Sequence, residues 1–266
     1  MPTSRSPSRN AKFPPPARRR PYWPLIPIGI LIAAVAIVAA LPASVIIRVL
    51  PRDVRAEELS GTIWHGVAGK LVVDGLDAGA LEWRLHPLGL LHGALDVDVH
   101  WVKLGMRIDA VASIDRAGLT ASAVRGGGPV ADLRNLGVPR AWRGTADIAL
   151  SKLTTDFSRI GTIVGDAKFA DVASDEIAGG ADLGGYLVRF GGAAGGLTAM
   201  IEDTGGPLRV RATVSIDQAR RRGLLSGTLA ARPDAPQGVQ AAVDDIARVR
   251  GRDAQGSVPV DLEFTF

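Results

Sequence analysis

The chain has no cysteine and few aromatic residues among its 266 positions. The missing thiols exclude a disulfide scaffold, a thiol nucleophile and a zinc or iron–sulfur site with cysteine ligands. They leave an oxidising compartment open, since a protein there also benefits from carrying no stray thiols. Aromatic residues account for 5% of the chain and hydrophobic residues for 47%. That hydrophobic fraction excludes a wholly disordered protein, and the length suits one large β domain or two small ones.

Motifs that carry catalysis are also missing. There is no G-x-S-x-G nucleophile elbow and no G-x-x-x-x-G-K-[ST] phosphate loop. The adjacent acids Glu57-Glu58 and Asp244-Asp245 are typical of solvated surfaces. The spacing of the histidines matches no metal-ligand pattern and favours scattered, partly exposed side chains. These histidines are His65, His86, His92 and His100. We therefore predict no catalytic residue, no metal site and no cofactor, which makes a hydrolase the weakest functional hypothesis.

The positive charge of the chain is confined to its N-terminal part. Residues 1–47 contain six of the 31 Lys and Arg residues and none of the 27 acidic residues. The rest of the chain therefore has a small excess of acidic groups. Such a surface lacks the positive charge that neutralises phosphates, so nucleic-acid binding is disfavoured. Residues 1–24, rich in Ser, Pro and Arg, are predicted to be a disordered tail.

A long run without charge follows this tail. Residues 25–47 form a helix of roughly 34 Å if they are all helical, enough to cross a bilayer core of about 30 Å. Pro42 is a possible earlier end of the helix, and residues 25–41 alone would still reach roughly 26 Å. Tyr22 and Trp23 precede the run, where interfacial aromatics are expected. The sequence predicts a single transmembrane helix over residues 25–47.

The flanking charges predict the orientation of this helix. The six basic residues before it place the N-terminus in the cytoplasm by the positive-inside rule, and residues 48–266 outside it in the periplasm. A cleaved signal peptide is the alternative. Its apolar region is usually 7–15 residues, shorter than this run, and no clear small-residue cleavage site closes the run.

Residues 48–266 show the period of β-strands. Apolar and polar residues alternate over 95–101, 104–114, 208–216 and 258–266, which indicates strands with one buried and one wet face. Glycine-containing turns separate the strands and favour antiparallel meanders. Two short helices are predicted at 130–136 and Pro236 to Val249. Further strands are predicted at 67–74, 78–85, 117–124, 144–150, 166–170, 181–190, 195–202 and 223–231. The fold class is therefore mainly β, with a curved, mostly antiparallel sheet after the transmembrane helix.

Two sequence boxes stand out in this domain. The first is Gly-Thr-Ile-Trp-His-Gly at 61–66, and the second runs from Gly79 to Gly93 as GALEWRLHPLGLLHG. Leu81, Trp83 and Leu85 share one face of a strand that His86-Pro87 ends, because proline has no amide hydrogen for the ladder. Both boxes fit a role as fold determinants, and the alternative is a partner-binding site. The candidate residues are Gly61, Thr62, Trp64, Gly66, Leu81, Trp83, Leu85, Pro87, Leu91 and Gly93.

These boxes resemble protein N of the bacterial type II (general) secretion pathway. The C-terminal part is similar as well, with Leu229-Ala-Ala-Arg-Pro-Asp, a short helix, Asp253-Ala-Gln-Gly and a final strand. The resemblance implies an accessory inner-membrane component without enzymatic activity. It also implies other secretion components as partners, including the inner-membrane platform proteins and the outer-membrane secretin.

Two routes to function stay open at this point. An edge strand can bind a partner by strand addition, and the terminal strand 257–266 is a candidate. Alternatively, the apolar inner face of a curved sheet can hold lipid, as in membrane-anchored lipid-transfer proteins. The high content of Ala, Val and Leu suits a lipid groove and a closed core equally well.

Overall fold

The computed structural model describes residues 40–48, 54–73, 75–132, 141–156, 158–176, 178–193 and 196–265. The chain divides into two units, Met1–Ala40 and Leu41–Phe266. Of the first unit only Ala40 is described. The second unit contains one large antiparallel sheet and a few short helices, which confirms the mainly β fold class.

Thirteen strands form this sheet, and each pairs with its neighbours in chain order. The sheet is therefore an uninterrupted antiparallel meander, and its two edge strands are the first and the last. The strands are β1 Val54–Gly61, β2 His65–Val73, β3 Leu76–His86, β4 Leu95–Lys103, β5 Met106–Ile114, β6 Leu119–Pro129, β7 Trp142–Thr155, β8 Ile160–Ser174, β9 Asp182–Ala193, β10 Gly196–Gly205, β11 Leu208–Asp217, β12 Arg222–Ala231 and β13 Val258–Thr265.

Strand β1 was not predicted from the sequence, and the backbone at Glu58 explains why. Glu58 has a φ of +56° and does not pair with β2, although the register is the same on both sides of it: Glu57 pairs with Lys70 and Leu59 with Ala68. Ala56 and Leu59 contact the same core although they are three positions apart. The alternation that marks a strand is therefore broken at Glu58.

Bulges explain why β7 and β8 are longer than predicted. The register of their pairing shifts between Leu150 and Lys152 in β7, and the register of β8 with β9 shifts between Phe169 and Val172. Each shift changes which residues face the core, so the period of two ends before the strand does.

The core covers one face of the sheet and contains many small residues. One cluster of buried side chains runs across β2 to β7 and includes Ala68, Trp83, Val97, Ala112, Ala121, Val124 and Leu150. Two smaller clusters lie around Met106 and around Val239. Trp101 packs against the first of these and donates from Nε1 to the Ala78 carbonyl oxygen at 2.6 Å. In the alternation over 95–101, Trp101 falls among the apolar residues, and its packing agrees with that pattern.

The helix α1, Gln237–Arg250, joins β12 to β13 and agrees with the prediction at Pro236 to Val249. Val239 and Val243 are buried, and Val239 packs with Leu183 and Ala235. A single 3₁₀ turn at 130–132 begins the other predicted helix, whose remaining residues, 133–136, lie outside the described residues.

A glutamine side chain shows how strongly the sheet curves. The main-chain N–H of Ile160 donates to Gln218 Oε1 at 2.9 Å, and Gln218 Nε2 donates back to the Ile160 carbonyl oxygen at 2.6 Å. Ile160 begins β8 and Gln218 follows β11, so their strands would be about 14 Å apart in a flat sheet. One side chain can span that separation only because the sheet bends toward its core face.

The predicted transmembrane segment lies mostly outside the described residues. Its described end bends at Pro42, which forms a β-bridge with Thr62, and Ala43–Arg48 is a 3₁₀ helix. Residues 43–47 of the predicted segment are in this 3₁₀ helix, whereas residues 25–39 lie outside the described residues. No helix in the described part of the chain is long and apolar enough to cross a membrane.

Tyr186 provides a pH-dependent test of the packing beneath α1. Its hydroxyl donates to the Leu183 carbonyl oxygen at 2.8 Å. Burial raises the pKa of Tyr186 to about 12, and the nearby carboxylates Asp203 and Asp182 contribute to the rise. The folded state therefore favours the neutral phenol.

We expect Tyr186 to ionise near pH 12, above the ordinary value near 10. Its contribution to stability is then complete below pH 10 and is lost as the pH rises from about 10 toward about 12. Ultraviolet titration of the Tyr22→Phe variant, which leaves a single tyrosine, measures this pKa. The Tyr186→Phe variant should lose that part of the pH dependence of unfolding. A midpoint near 10 in the folded protein would contradict the packing described here.

Candidate interaction surfaces

The first sequence box forms the tight connection between β1 and β2. Gly61 has a φ of +85°, and a Cβ there would lie 2.4 Å from the His65 carbonyl oxygen. The Thr62 N–H donates to that oxygen at 2.8 Å, and the His65 N–H donates to Thr62 Oγ1 at 3.2 Å. Glycine is required at 61 because a side chain has no room and the φ is left-handed.

Trp83 of the second box packs on this connection. Its Nε1 donates to the Ile63 carbonyl oxygen at 2.9 Å, and its ring covers Gly66 so closely that a Cβ there would lie 2.3 Å from Cζ2. Trp64 accepts a hydrogen bond at its carbonyl oxygen from the Leu85 N–H at 2.7 Å. The two boxes therefore form one packed structure.

The N-terminal end of the unit is attached to the same place. The Ile63 N–H donates to the Leu41 carbonyl oxygen at 2.9 Å, and Ala43 is 1% exposed in the cluster that contains Trp83. We call the contact formed by Leu41–Ala43, Thr62–Gly66 and Trp83 the junction. It fixes residues 41–43, near the C-terminal end of the predicted transmembrane segment 25–47, to one end of the sheet.

The end of the second box is exposed and apolar. Pro87–His92 is a 3₁₀ helix that connects β3 to β4, and Gly93 ends it with a φ of +77°. Leu88 is 74% exposed and Leu91 is 80% exposed, with Leu90 between them also exposed. Leu81 and Leu85 lie instead within the core, so the box divides into a buried strand and an exposed turn.

The exposed turn and the junction lie at the same end of the sheet, which we call the proximal rim. The strand register places Gly61 and His65 beside the end of β3, where Pro87–His92 begins. The connections 115–118 and 218–221 lie on this rim as well. Leu104, 83% exposed, lies in the connection of β4 to β5 at the opposite rim.

The terminal strand β13 forms the edge of the sheet, as the sequence predicted. Pro259 near its start lacks an N–H, and Arg250 Nη1 donates to the Asp261 carbonyl oxygen at 3.1 Å. Such features protect sheet edges from unwanted pairing. Leu262, Glu263 and Phe264 follow and are exposed. They form the part of this edge beyond the Arg250 contact.

An apolar cavity lies between α1 and the sheet, at a place that no sequence motif indicated. Its volume is about 430 Å³. It is lined by Val130, Trp142, Phe169, Val172, Leu183, Tyr186, Val188, Ile201, Leu208, Val210, Leu229, Val239, Ala242, Val243 and Ile246. Tyr186 is the only lining side chain with an oxygen, and that hydroxyl is bonded to Leu183. Six strands and one helix contribute to this wall, so no local motif marks it.

Polar pairs between strands occupy the outer face of the sheet. His65 Nε2 lies 3.3 Å from Glu82 Oε1, His86 Nε2 lies 2.8 Å from Asp98 Oδ2, and His100 bonds to Asp109. These cross-strand pairs are solvent-exposed. Within the described residues, no group of three or more His, Asp or Glu is placed to hold a metal ion.

The junction yields a stability prediction. The Gly66→Ala variant places a methyl group against the Trp83 ring and should lower the free energy of unfolding by about 1–3 kcal/mol. The Gly196→Ala control, where a Cβ meets only the Ile216 carbonyl oxygen at 3.9 Å, should change it by less than about 0.5 kcal/mol. Equilibrium urea unfolding followed by tryptophan fluorescence measures both. Equal effects of the two substitutions would contradict the packing of Trp83 on Gly66.

Comparison with known proteins identifies the family. The family model described as type II secretion system, protein N, matches residues 52–261, which include β1 to β12 entirely. The type II secretion system protein N of Vibrio cholerae serotype O1 (strain ATCC 39315 / El Tor Inaba N16961) is 33% identical over 78 residues. That match covers 27% of this chain and 31% of the relative, less than a third of its length. No solved structure matches the chain. Because the family model spans well over half of the sequence, the chain belongs to the type II secretion system protein N family.

Proposed function

We propose that this protein is an accessory inner-membrane component of the type II secretion apparatus. In this role it supports assembly or stability of the machine by binding other components in the periplasm. The observation that carries the proposal is the family match across almost the whole sheet. A large sheet whose sequence contains no recognisable catalytic motif suits binding better than catalysis.

The proposed topology has one transmembrane helix with a cytoplasmic N-terminus and a periplasmic sheet. The charge-free run over residues 25–47 and the basic tail before it support this topology. The junction ties Leu41 to the proximal rim. The exposed leucines of Pro87–His92 lie on that rim, where an apolar turn can enter the lipid interface. The proximal rim therefore faces the membrane in this proposal.

Partner binding is assigned to the free edge of β13. A peptide segment of a platform protein or of the secretin adds to this edge as a further antiparallel strand. The other edge is less suitable, because the left-handed conformation of Glu58 interrupts the regular pairing of β1. The Asp261 carbonyl oxygen accepts from Arg250, so the main-chain groups of Asp261 and of Glu263, two positions on, face away from β12.

The apolar cavity beneath α1 favours a second candidate function, the binding of membrane lipid. Lipid binding and partner binding use different parts of the sheet. The cavity is lined by residues of β7 to β12 and α1, whereas the proposed partner surface is the outer edge of β13.

Proline at position 263 tests strand addition. Glu263→Pro removes one edge N–H and should reduce co-purification of the other secretion components from native membranes between about twofold and tenfold, the loss expected for one hydrogen bond. Immunoblots for the platform proteins and the secretin measure the bound fraction.

The matched control at this position is Glu263→Gln. It keeps the N–H while it removes the charge that pairs with Arg222 at 3.3 Å. Co-purification with this variant should equal that of the wild type, and both variants should keep the wild-type unfolding midpoint. If Glu263→Pro binds its partners as the wild type does, strand addition at β13 is wrong. Equal losses with both variants would instead indicate that the carboxylate mediates binding.

A further inference from the structure

The cavity beneath α1 has the composition of a hydrocarbon-binding site. Its lining contains no charged side chain, and its one hydroxyl, on Tyr186, already donates to the Leu183 carbonyl oxygen. Water gains little there, because a buried water needs two to four polar partners. The chemistry of the wall therefore selects an apolar occupant.

The size of the cavity points in the same direction. At about 430 Å³ it lies in the range of small-molecule sites and is about three times the engineered apolar cavity of roughly 150 Å³ that binds benzene. An empty apolar cavity destabilises a protein in proportion to its volume. The wall cannot easily close, since the ladder of β7 to β12 holds one side and Arg250 ties the last turn of α1 to β13.

The shape suits a chain better than a compact ring system. Side chains from six neighbouring strands line the cavity in turn, from Trp142 on β7 to Leu229 on β12, so the space runs across the strands under the helix. Val239 is 1% exposed and Ile246 is 41% exposed. The cavity is thus closed near the first turn of α1 and opens near its last turn.

A basic residue stands at this opening. Arg250 lies one helical turn after Ile246, on the same face of α1. Arg248 and Arg252 form salt bridges with Asp245 and Asp244, whereas the structure gives Arg250 a main-chain carbonyl oxygen and no carboxylate among the described residues. Its positive charge is available to an anionic group at the mouth of the cavity.

We propose that the cavity binds the fatty-acyl chain of an anionic amphiphile, with the acyl chain beneath α1 and the anionic group near Arg250. The amphiphile is either a free fatty acid or an anionic phospholipid, which share this chemistry. The proposal rests on the second candidate function, lipid binding, and involves no secretion partner, so it can fail while partner binding at β13 holds.

Photolabelling of the full chain in phosphatidylcholine nanodiscs tests the proposal. One arm adds palmitic acid that carries a diazirine near the end of its chain, and the other uses phosphatidylglycerol with the same labelled acyl group. Mass spectrometry should find the label on peptides that contain Leu183–Val188 or Val239–Ile246, and unlabelled palmitic acid should displace it. Labelling in the first arm alone identifies a free fatty acid, and labelling in the second identifies a phospholipid.

Two adjacent alanines provide matched variants. Ala242 lines the cavity and Ala241 is exposed on the other face of α1. Ala242→Phe fills the cavity and should reduce labelling of these peptides about tenfold, whereas Ala241→Phe should leave it unchanged. Equal labelling of both variants would overturn the proposal, as would a label confined to residues 25–47 or to the proximal rim.

A second measurement does not depend on the fold of the Ala242 variant. Trp142 lines the cavity, so brominated palmitic acid should quench part of the wild-type tryptophan fluorescence in a saturable way. Trp142→Phe keeps an aromatic ring at this place and should abolish that saturable part. Quenching that is unsaturable, or that persists unchanged in Trp142→Phe, contradicts binding in the cavity.

Discussion

The contact between Trp83 and the connection at 61–66 is the interaction on which the rest of this structure depends. The indole ring lies on Gly66, and its N–H satisfies the carbonyl oxygen of Ile63, whose own N–H bonds to Leu41. One aromatic side chain thus links β3, the first turn and the segment that enters the domain. Because an uncharged run precedes Leu41, this contact determines which end of the sheet lies next to the proposed anchor.

A meander of thirteen strands has two consequences for binding. Each strand pairs only with its neighbours in sequence, so the described sheet keeps two edges. In β1 the left-handed Glu58 interrupts the pairing, and β13 is partly protected by Pro259 and Arg250. The bend at Gln218 and Ile160 brings distant strands together, and an apolar cavity remains between the sheet and α1.

The sequence predicted those elements whose period is regular. Apolar and polar residues alternate along four of the predicted strands, which are β4, β5, β11 and β13. In α1 the apolar residues repeat at helical spacing. β1 was not predicted because Glu58 breaks the alternation of apolar and polar residues. β7 and β8 were predicted too short because bulges end the alternation before the strands end. Bulges are set by pairing with another strand, which a local pattern does not contain.

The candidate residues divide in the same way. Gly61, Gly66 and Trp83 stand in recognisable boxes, and the structure brings them into one contact that fits the role of fold determinants. Leu91 belongs to the same box but lies beyond the strand end that His86-Pro87 predicted, in the exposed turn on the proximal rim. The cavity could not be predicted, because Trp142, Tyr186 and Ala242 are distant in sequence and meet only when the sheet curves beneath α1.

The proposed orientation of the proximal rim toward the membrane can be measured with labels at two exposed leucines on opposite rims. Leu91 and Leu104 are 80% and 83% exposed, at opposite rims and about 30 Å apart along β4. Since the chain has no cysteine, Leu91→Cys and Leu104→Cys each accept one environment-sensitive fluorophore. In vesicles with brominated lipids, we expect strong quenching of the fluorescence of the label at 91 and no quenching of the label at 104. Equal quenching at both positions, or stronger quenching at 104, would contradict this orientation.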